Sequence, residues 1–165
     1  MPERAGRDVE LVVMVGLQGS GKSTWVRENL AGTHAVVSKD HWPNARHREA
    51  RQQRIVDELL GAGRDVVVDN TNPAPEDRAA LIALARDHAA TPVAVLLDVP
   101  LRVCLGRNAA REGRGRVPIA GVLATRNRLV PPSVTEGFRR IHVVRLVMPG
   151  RVDGDDLGRT RGRPA

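Results

Sequence analysis

The sequence predicts an α/β fold, a central parallel sheet with helices on both faces. Two observations carry this. Short apolar runs alternate with helical segments from one end to the other, the pattern of strands joined by right-handed helical crossovers. The runs are continuous rather than alternating, as in "LVVMV" (11–15) and "VAVLL" (93–97), which suits strands covered on both faces.

The elements follow in order. "VELVVMVG" reads as a buried strand ending at Gly16, and "TWVRENLA" after the next loop reads as a helix ending near Gly32. "HAVVSKD" is a second strand with Asp40 just past its end. In "HWPNARHREARQQRIVDELLGAG" Asn44 is a candidate cap, Ile55, Leu59 and Leu60 form an apolar stripe, and Gly61 and Gly63 stop the helix. "RDVVVDN" is a third strand with Asp69 at its tip. The next helix turns Leu81, Ile82 and Leu84 inward and has Glu76 and Asp77 in its first turn, where the helix dipole favours acids. "TPVAVLLDV" is a fourth strand, followed by a helix opening at Pro100. A glycine- and arginine-rich loop, "GRGRVP", separates it from the helix "IAGVLATRNRL", and "RIHVVRLV" is the last strand. Ligand crevices of such sheets lie beyond the carboxyl ends of the strands. Gly16, Asp40, Asp69 and Asp98 all fall there.

The chain has 165 residues, 41% apolar and 27% charged. That predicts one domain over 1–165, with a core of about 9–147 and a frayed tail over 149–165. No apolar run approaches a membrane span. The one cysteine, Cys104, excludes a disulfide framework and reads as core. No apolar segment follows the charged N-terminus, so the expectation is a cytoplasmic protein without a signal peptide. The net charge is +7; only Lys22 and Lys39 are lysine among 26 basic residues, leaving 24 arginines. Guanidinium forks favour an anionic partner.

The segment Gly16-Leu17-Gln18-Gly19-Ser20-Gly21-Lys22-Ser23 fits the phosphate-loop pattern, between a strand and a helix. Glycines let backbone amides turn around an anion, and the helix N-terminus adds partial positive charge. Lys22 is expected on the β and γ phosphates of a nucleoside triphosphate, the Ser23 hydroxyl on Mg2+, and Thr24 near the α phosphate. This makes the fold the phosphate-loop NTPase type.

Asp40 is the candidate general base for an attacking hydroxyl. Asp69 is placed to stand near magnesium, with Asn70, Thr71 and Asn72 offering polar groups to an acceptor, forming an Asx turn before Pro73, or both. From Arg102 to Arg128 there are seven arginines and one acid, Glu112. Arg107 and Arg111 stack one turn apart, and repulsion between them calls for an anion. A lid closing over a triphosphate supplies that setting, with Arg114 and Arg116 on a hinge-like stretch. Trp25 reads as core. Trp42 either stacks on an acceptor base or closes a groove. Aromatics are too few for extended stacking along a strand.

"GLQGSGKSTW", Asp40, "VVVDNTNP", "RNAAR" and "VPIAGVLATRNRLVPPSVTEGF" together resemble the polynucleotide 5′-hydroxyl kinase family, from about Val12 to Leu146. The resemblance implies a phosphate-loop kinase fold and ATP as donor, bound by Gly16 to Thr24 with Lys22 and Ser23 in the roles above. It implies Asp40 as the aspartate that activates a 5′-OH, Arg107 and Arg111 as the lid pair, and Asp69, Thr71 and Asn72 on the acceptor side. The substrate implied is a 5′-OH DNA or RNA end, with no membrane and no required protein partner. The phage-type enzymes have an acceptor arginine shortly after the aspartate; here Pro43 stands there, and Arg46 and Arg48 are the nearest arginines. A kinase for a small-molecule hydroxyl is the alternative, and a nucleotide switch without acceptor chemistry the third reading. An open channel rimmed by Arg46, Arg48, Arg114 or Arg139 would favour a strand end, and an enclosed pocket over Asp40 a small molecule.

Overall fold

The computed structural model describes residues 7–148 and 151–154. The strands are β1 (Glu10–Val15), β2 (Ala35–Val37), β3 (Val66–Val68), β4 (Thr91–Asp98), β5 (Arg140–Met148) and β6 (Arg151–Gly154). The helices are α1 (Lys22–Asn29), α2 (Arg48–Gly61), α3 (Pro75–Asp87), α4 (Leu101–Ala109) and α5 (Ile119–Arg128). The sheet order is β2-β3-β1-β4-β5-β6. β1 to β5 are parallel, and β6 runs antiparallel to β5.

Both faces of β1 are buried, in a two-residue alternation. Leu11 and Val13 join Val56, Leu60, Leu81, Ile82 and Phe138 beneath α2 and α3. Val12 and Met14 join Val26, Val93, Val95 and Val144 on the opposite face, with Trp25 packed against them. This two-sided burial is why the strand is apolar throughout. Among the described residues no helix is long and apolar enough to cross a membrane.

Three details depart from the sequence reading. Asn44 does not cap α2; the helix begins at Arg48 after His47, which takes a left-handed φ of 55°. The buried face of α2 is Gln52, Val56 and Leu60, with Ile55 and Leu59 only partly covered. Likewise, residues 151–154 are not frayed: they pair with β5, Val144 facing Gly154 and Leu146 facing Val152. Main-chain hydrogen bonding to an open sheet edge needs no apolar side chain, so composition gave no warning. The rest of the expected tail lies outside the described residues.

Candidate active site

β1, β2 and β3 deliver Gly16, the Ser38–Asp40 segment and Asp69 to one rim of the sheet. A cavity of about 730 Å³ opens there, lined on its floor by Gln18, Gly19, Lys22, Ser23, Asp40 and Asp69. Asn70 to Pro73 and Asp77 form one wall, and Lys39, Pro43 and Arg48 stand on the β2 side. Arg111, Arg114, Gly115 and Arg128 close it from the α4–α5 side.

The phosphate loop turns at three glycines with positive φ. Gly19 is the most constrained: at φ 80°, a Cβ there would come within 2.4 Å of the Cys104 carbonyl oxygen. The loop thus lies directly on α4. Lys22 is buried, and its Nζ donates to the carbonyl oxygens of Gly16 (3.0 Å) and Leu17 (2.7 Å). Burial lowers its pKa to about 8, opposed by the nearby charges of Asp69 and Asp40. Burial also raises the pKa of the Cys104 thiol, as suits the packed core residue the sequence predicts.

The Ser23 hydroxyl donates to Asp69 Oδ2 at 2.7 Å. Among the described residues no three His, Cys, Asp or Glu side chains gather as a metal cage. The Ser23–Asp69 pair nevertheless fits magnesium, which keeps several waters and binds through few protein oxygens plus phosphates. Thr24 is exposed on the first turn of α1.

Asp40 lines the cleft and is exposed, in a short turn where its backbone N–H donates to Ser38 Oγ. No side-chain partner restrains its carboxylate among the described residues. Asn70 braces this turn to the floor. Its Oδ1 accepts from the Lys39 N–H at 3.0 Å, and its Nδ2 donates to the buried Gln52 at 2.6 Å. This brace was invisible in the sequence, because Asn70 and Gln52 stand 18 positions apart.

Thr71 lines the cleft, and its carbonyl accepts from the Gly16 N–H at 3.1 Å. Asn72 also borders the cavity, but its side chain is committed: Nδ2 donates to the Met14 carbonyl at 2.8 Å, and the residue is buried. Asn72 therefore fixes the turn to β1 rather than offering an amide to an acceptor. Trp42 is engaged outside the cleft too. It packs against the α2–α3 core, and the Arg51 guanidinium stacks on its ring at 4.8 Å. That ring is not part of the cleft lining.

Arg107 and Arg111 divide. Arg107 lies over the phosphate loop and donates to the Ser20 carbonyl at 3.4 Å, whereas Arg111 faces the cavity. Between them Asn108 is buried, its amide paired with the backbone of Val117 in both directions, at 2.6 and 2.9 Å. This clasp ties the ends of the 109–116 loop. From that loop Arg114 reaches across the cleft to Asn44 Oδ1 at 3.2 Å. Arg48 and Arg114 border the cleft; Arg46 and Arg139 do not. Asp98 is outside it too, paired with Arg145 at 3.4 Å.

The family model described as an AAA domain matches residues 11–132. Among curated proteins, "Transcription factor bHLH140" of Arabidopsis thaliana is 29% identical over 140 residues, covering 79% of this chain and 15% of that protein. A bifunctional polynucleotide phosphatase/kinase, so described for Acanthamoeba polyphaga mimivirus, is 29% identical over 145 residues, covering 84% of this chain and 34% of that one. The chain thus spans 15% and 34% of the length of these two relatives. Among solved structures, the AvrRxo1-ORF1:AvrRxo1-ORF2 complex with ATP superposes at TM-score 0.69 and 16% identity, over 92% of this chain and 59% of that one. A gluconokinase from Sinorhizobium meliloti 1021 gives 0.59 at 18% identity, over 87% and 86%. The APS kinase CysC of Mycobacterium tuberculosis, with AMPPNP and APS, gives 0.52 at 22%, over 88% and 91%. The fold is shared with phosphate-loop kinases.

Proposed function

The chain belongs to the AAA domain family, and from that premise we propose that it is an ATP-dependent phosphotransferase moving the γ phosphate onto a hydroxyl of a small molecule. One observation carries the reading: Lys22 and Ser23 of the phosphate loop share a single cleft with the carboxylate of Asp40, which has no side-chain partner among the described residues.

Gly16 to Thr24 would cradle the triphosphate, with Lys22 on the β and γ phosphates and Arg107 and Arg111 over it. Ser23 and, through water, Asp69 would hold magnesium, which when bound neutralises charge between the phosphates. Asp40 orients the acceptor hydroxyl and takes its proton as the oxygen bonds to the γ phosphorus. The bond from that phosphorus to the β–γ bridging oxygen breaks, and ADP leaves. Arg111 faces the charge that spreads over the transferring group.

Two features favour a small acceptor. Arg114 bridges to Asn44 over the cleft, which narrows the way in for a strand. Among the described residues the lining holds no aromatic ring, so they offer no platform there for stacked bases. Structures sharing the fold include a gluconokinase and an APS kinase.

A second reading is transfer to a 5′-OH polynucleotide end. The mimivirus relative supports it, as does the basic border of Arg48, Arg111, Arg114 and Arg128. The deciding experiment offers labelled ATP with 5′-OH DNA and RNA oligonucleotides beside sugars, nucleosides and other small alcohols. Label on a small alcohol supports the first reading. Label on oligonucleotides alone, weakening steeply with salt, replaces it with the second. Label released only to water overturns both.

A further inference from the structure

Arg78 lies on the first turns of α3 and is completely buried. Its guanidinium forms a two-point pair with Glu136, Nε to Oε1 at 2.8 Å and Nη2 to Oε2 at 2.9 Å. Its Nη1 donates to the carbonyl oxygens of Asn72 (3.1 Å), Pro73 (3.3 Å) and Val130 (3.0 Å). One cation thus gathers three separate segments. The first is the turn after β3, which forms a cleft wall. The second is the chain leaving α5, and the third is the 134–136 turn.

These contacts are coupled to the donor site. The turn held by Arg78 is also tied to β1 and the phosphate loop, by Asn72 to Met14 and by Gly16 to Thr71. The Val130 N–H donates to the Pro73 carbonyl at 2.8 Å. A parallel ion pair joins Arg128 to Asp77 on the cleft border, at 3.0 and 3.1 Å. About one turn earlier on α5, Thr125 accepts from Gln18 of the phosphate loop at 3.0 Å. Glu136 is itself held in place, Oε2 accepting from the Ser133 N–H.

We infer that Arg78, held by Glu136, is a positioning residue for phosphoryl transfer: it locks the β3–α3 turn and the end of α5 into one rigid acceptor wall at a fixed distance from the phosphate loop. A buried charge with this many partners is costly to assemble, and it is recovered only in one geometry. Arg78 is not among the residues lining the cleft, so its action runs through the wall it holds. Sub-ångström placement of the acceptor matters because transfer is mainly positioning and electrostatics.

The inference rests on the phosphotransferase reading. Its test uses Glu136→Gln, which keeps the shape and removes the charge, and Arg78→Lys, which keeps the charge and loses the fork. Each is compared with the parent for acceptor KM, kcat, MgATP affinity and ATP hydrolysis without acceptor. The expected result is acceptor KM raised about tenfold and kcat lowered, with MgATP affinity and acceptor-free hydrolysis within twofold of the parent. Glu136→Asp should recover part of the loss. Parallel loss of all four quantities, or none, in folded Glu136→Gln overturns the positioning role. If Arg78→Lys fails to fold, Glu136→Gln alone decides. A parent that transfers to no acceptor sinks the phosphotransferase reading instead, an outcome visible before any variant is made.

Discussion

The Ser23 hydroxyl and the Asp69 carboxylate meet at 2.7 Å, joining residues 46 positions apart. β1 and β3 are adjacent parallel strands, with Val13 opposite Val68, so the phosphate loop and the tip of β3 leave the sheet side by side. Ser23→Ala and Asp69→Asn should each weaken MgATP binding about 10- to 100-fold. Titration calorimetry in magnesium and in EDTA checks this. A loss of the same size in EDTA would assign the pair to folding of the loop rather than to the ion.

Asp40 has no side-chain partner to lose among the described residues. Asp40→Asn is therefore expected to leave thermal stability and ATP affinity unchanged while lowering kcat by about 10²- to 10⁴-fold. Steady-state kinetics on the identified acceptor, beside a melting curve, tests it. Retained kcat would remove this carboxylate from the chemistry.

Lys22 gives a dependence on pH with a defined sign. Its pKa in the folded protein is about 8, below the ordinary 10.5. Below pH 8 the folded and unfolded chains both carry the proton, and this residue adds no slope. Between about 8 and 10.5 the unfolded chain holds a proton that the folded chain has released. Stability contributed by Lys22 should therefore rise with pH across that window, by at most about 1.4 kcal/mol per unit. ATP affinity should move the other way above pH 8, because the anion needs the charged ammonium. Urea unfolding and nucleotide titration from pH 7 to 10 measure both, and Lys22→Met should flatten both trends.

Gly19→Ala places a methyl group against the Cys104 carbonyl oxygen and forces alanine into φ 80°. The expected cost is about 1–3 kcal/mol of stability, with ATP binding impaired because the loop must leave α4. Chemical denaturation and nucleotide titration of this variant beside Gly63→Ala separate the two effects. Gly63 also has a positive φ but has open space around it, so it isolates backbone strain from the clash.

The parallel sheet and the phosphate loop were legible because their signals are local. Two-sided burial writes apolar runs, and Gly16 to Ser23 is one contiguous segment. Asp40 and Asp69 followed from their places at strand ends. What Trp42 and Asn72 contact was not legible, because the sequence does not say where a side chain is spent: Arg51 covers one, and the Met14 carbonyl holds the other. Arg78 and Glu136 escaped notice for the same reason. Separated by 58 positions, each looks like an ordinary charge in an arginine-rich chain until the fold buries them together. Asn108 was visible only as a spacer between Arg107 and Arg111, although its amide closes the loop that carries Arg111 and Arg114.

That amide has a wider effect. Because Asn108 and Val117 secure both roots of the excursion between them, its length and composition are decoupled from the packing of α4 and α5. The excursion is a cassette. Residues added or removed at its tip alter what can enter beneath it without disturbing the frame, which makes 112–116, beyond Arg111, the natural segment to graft or randomise when redirecting this scaffold to new acceptors.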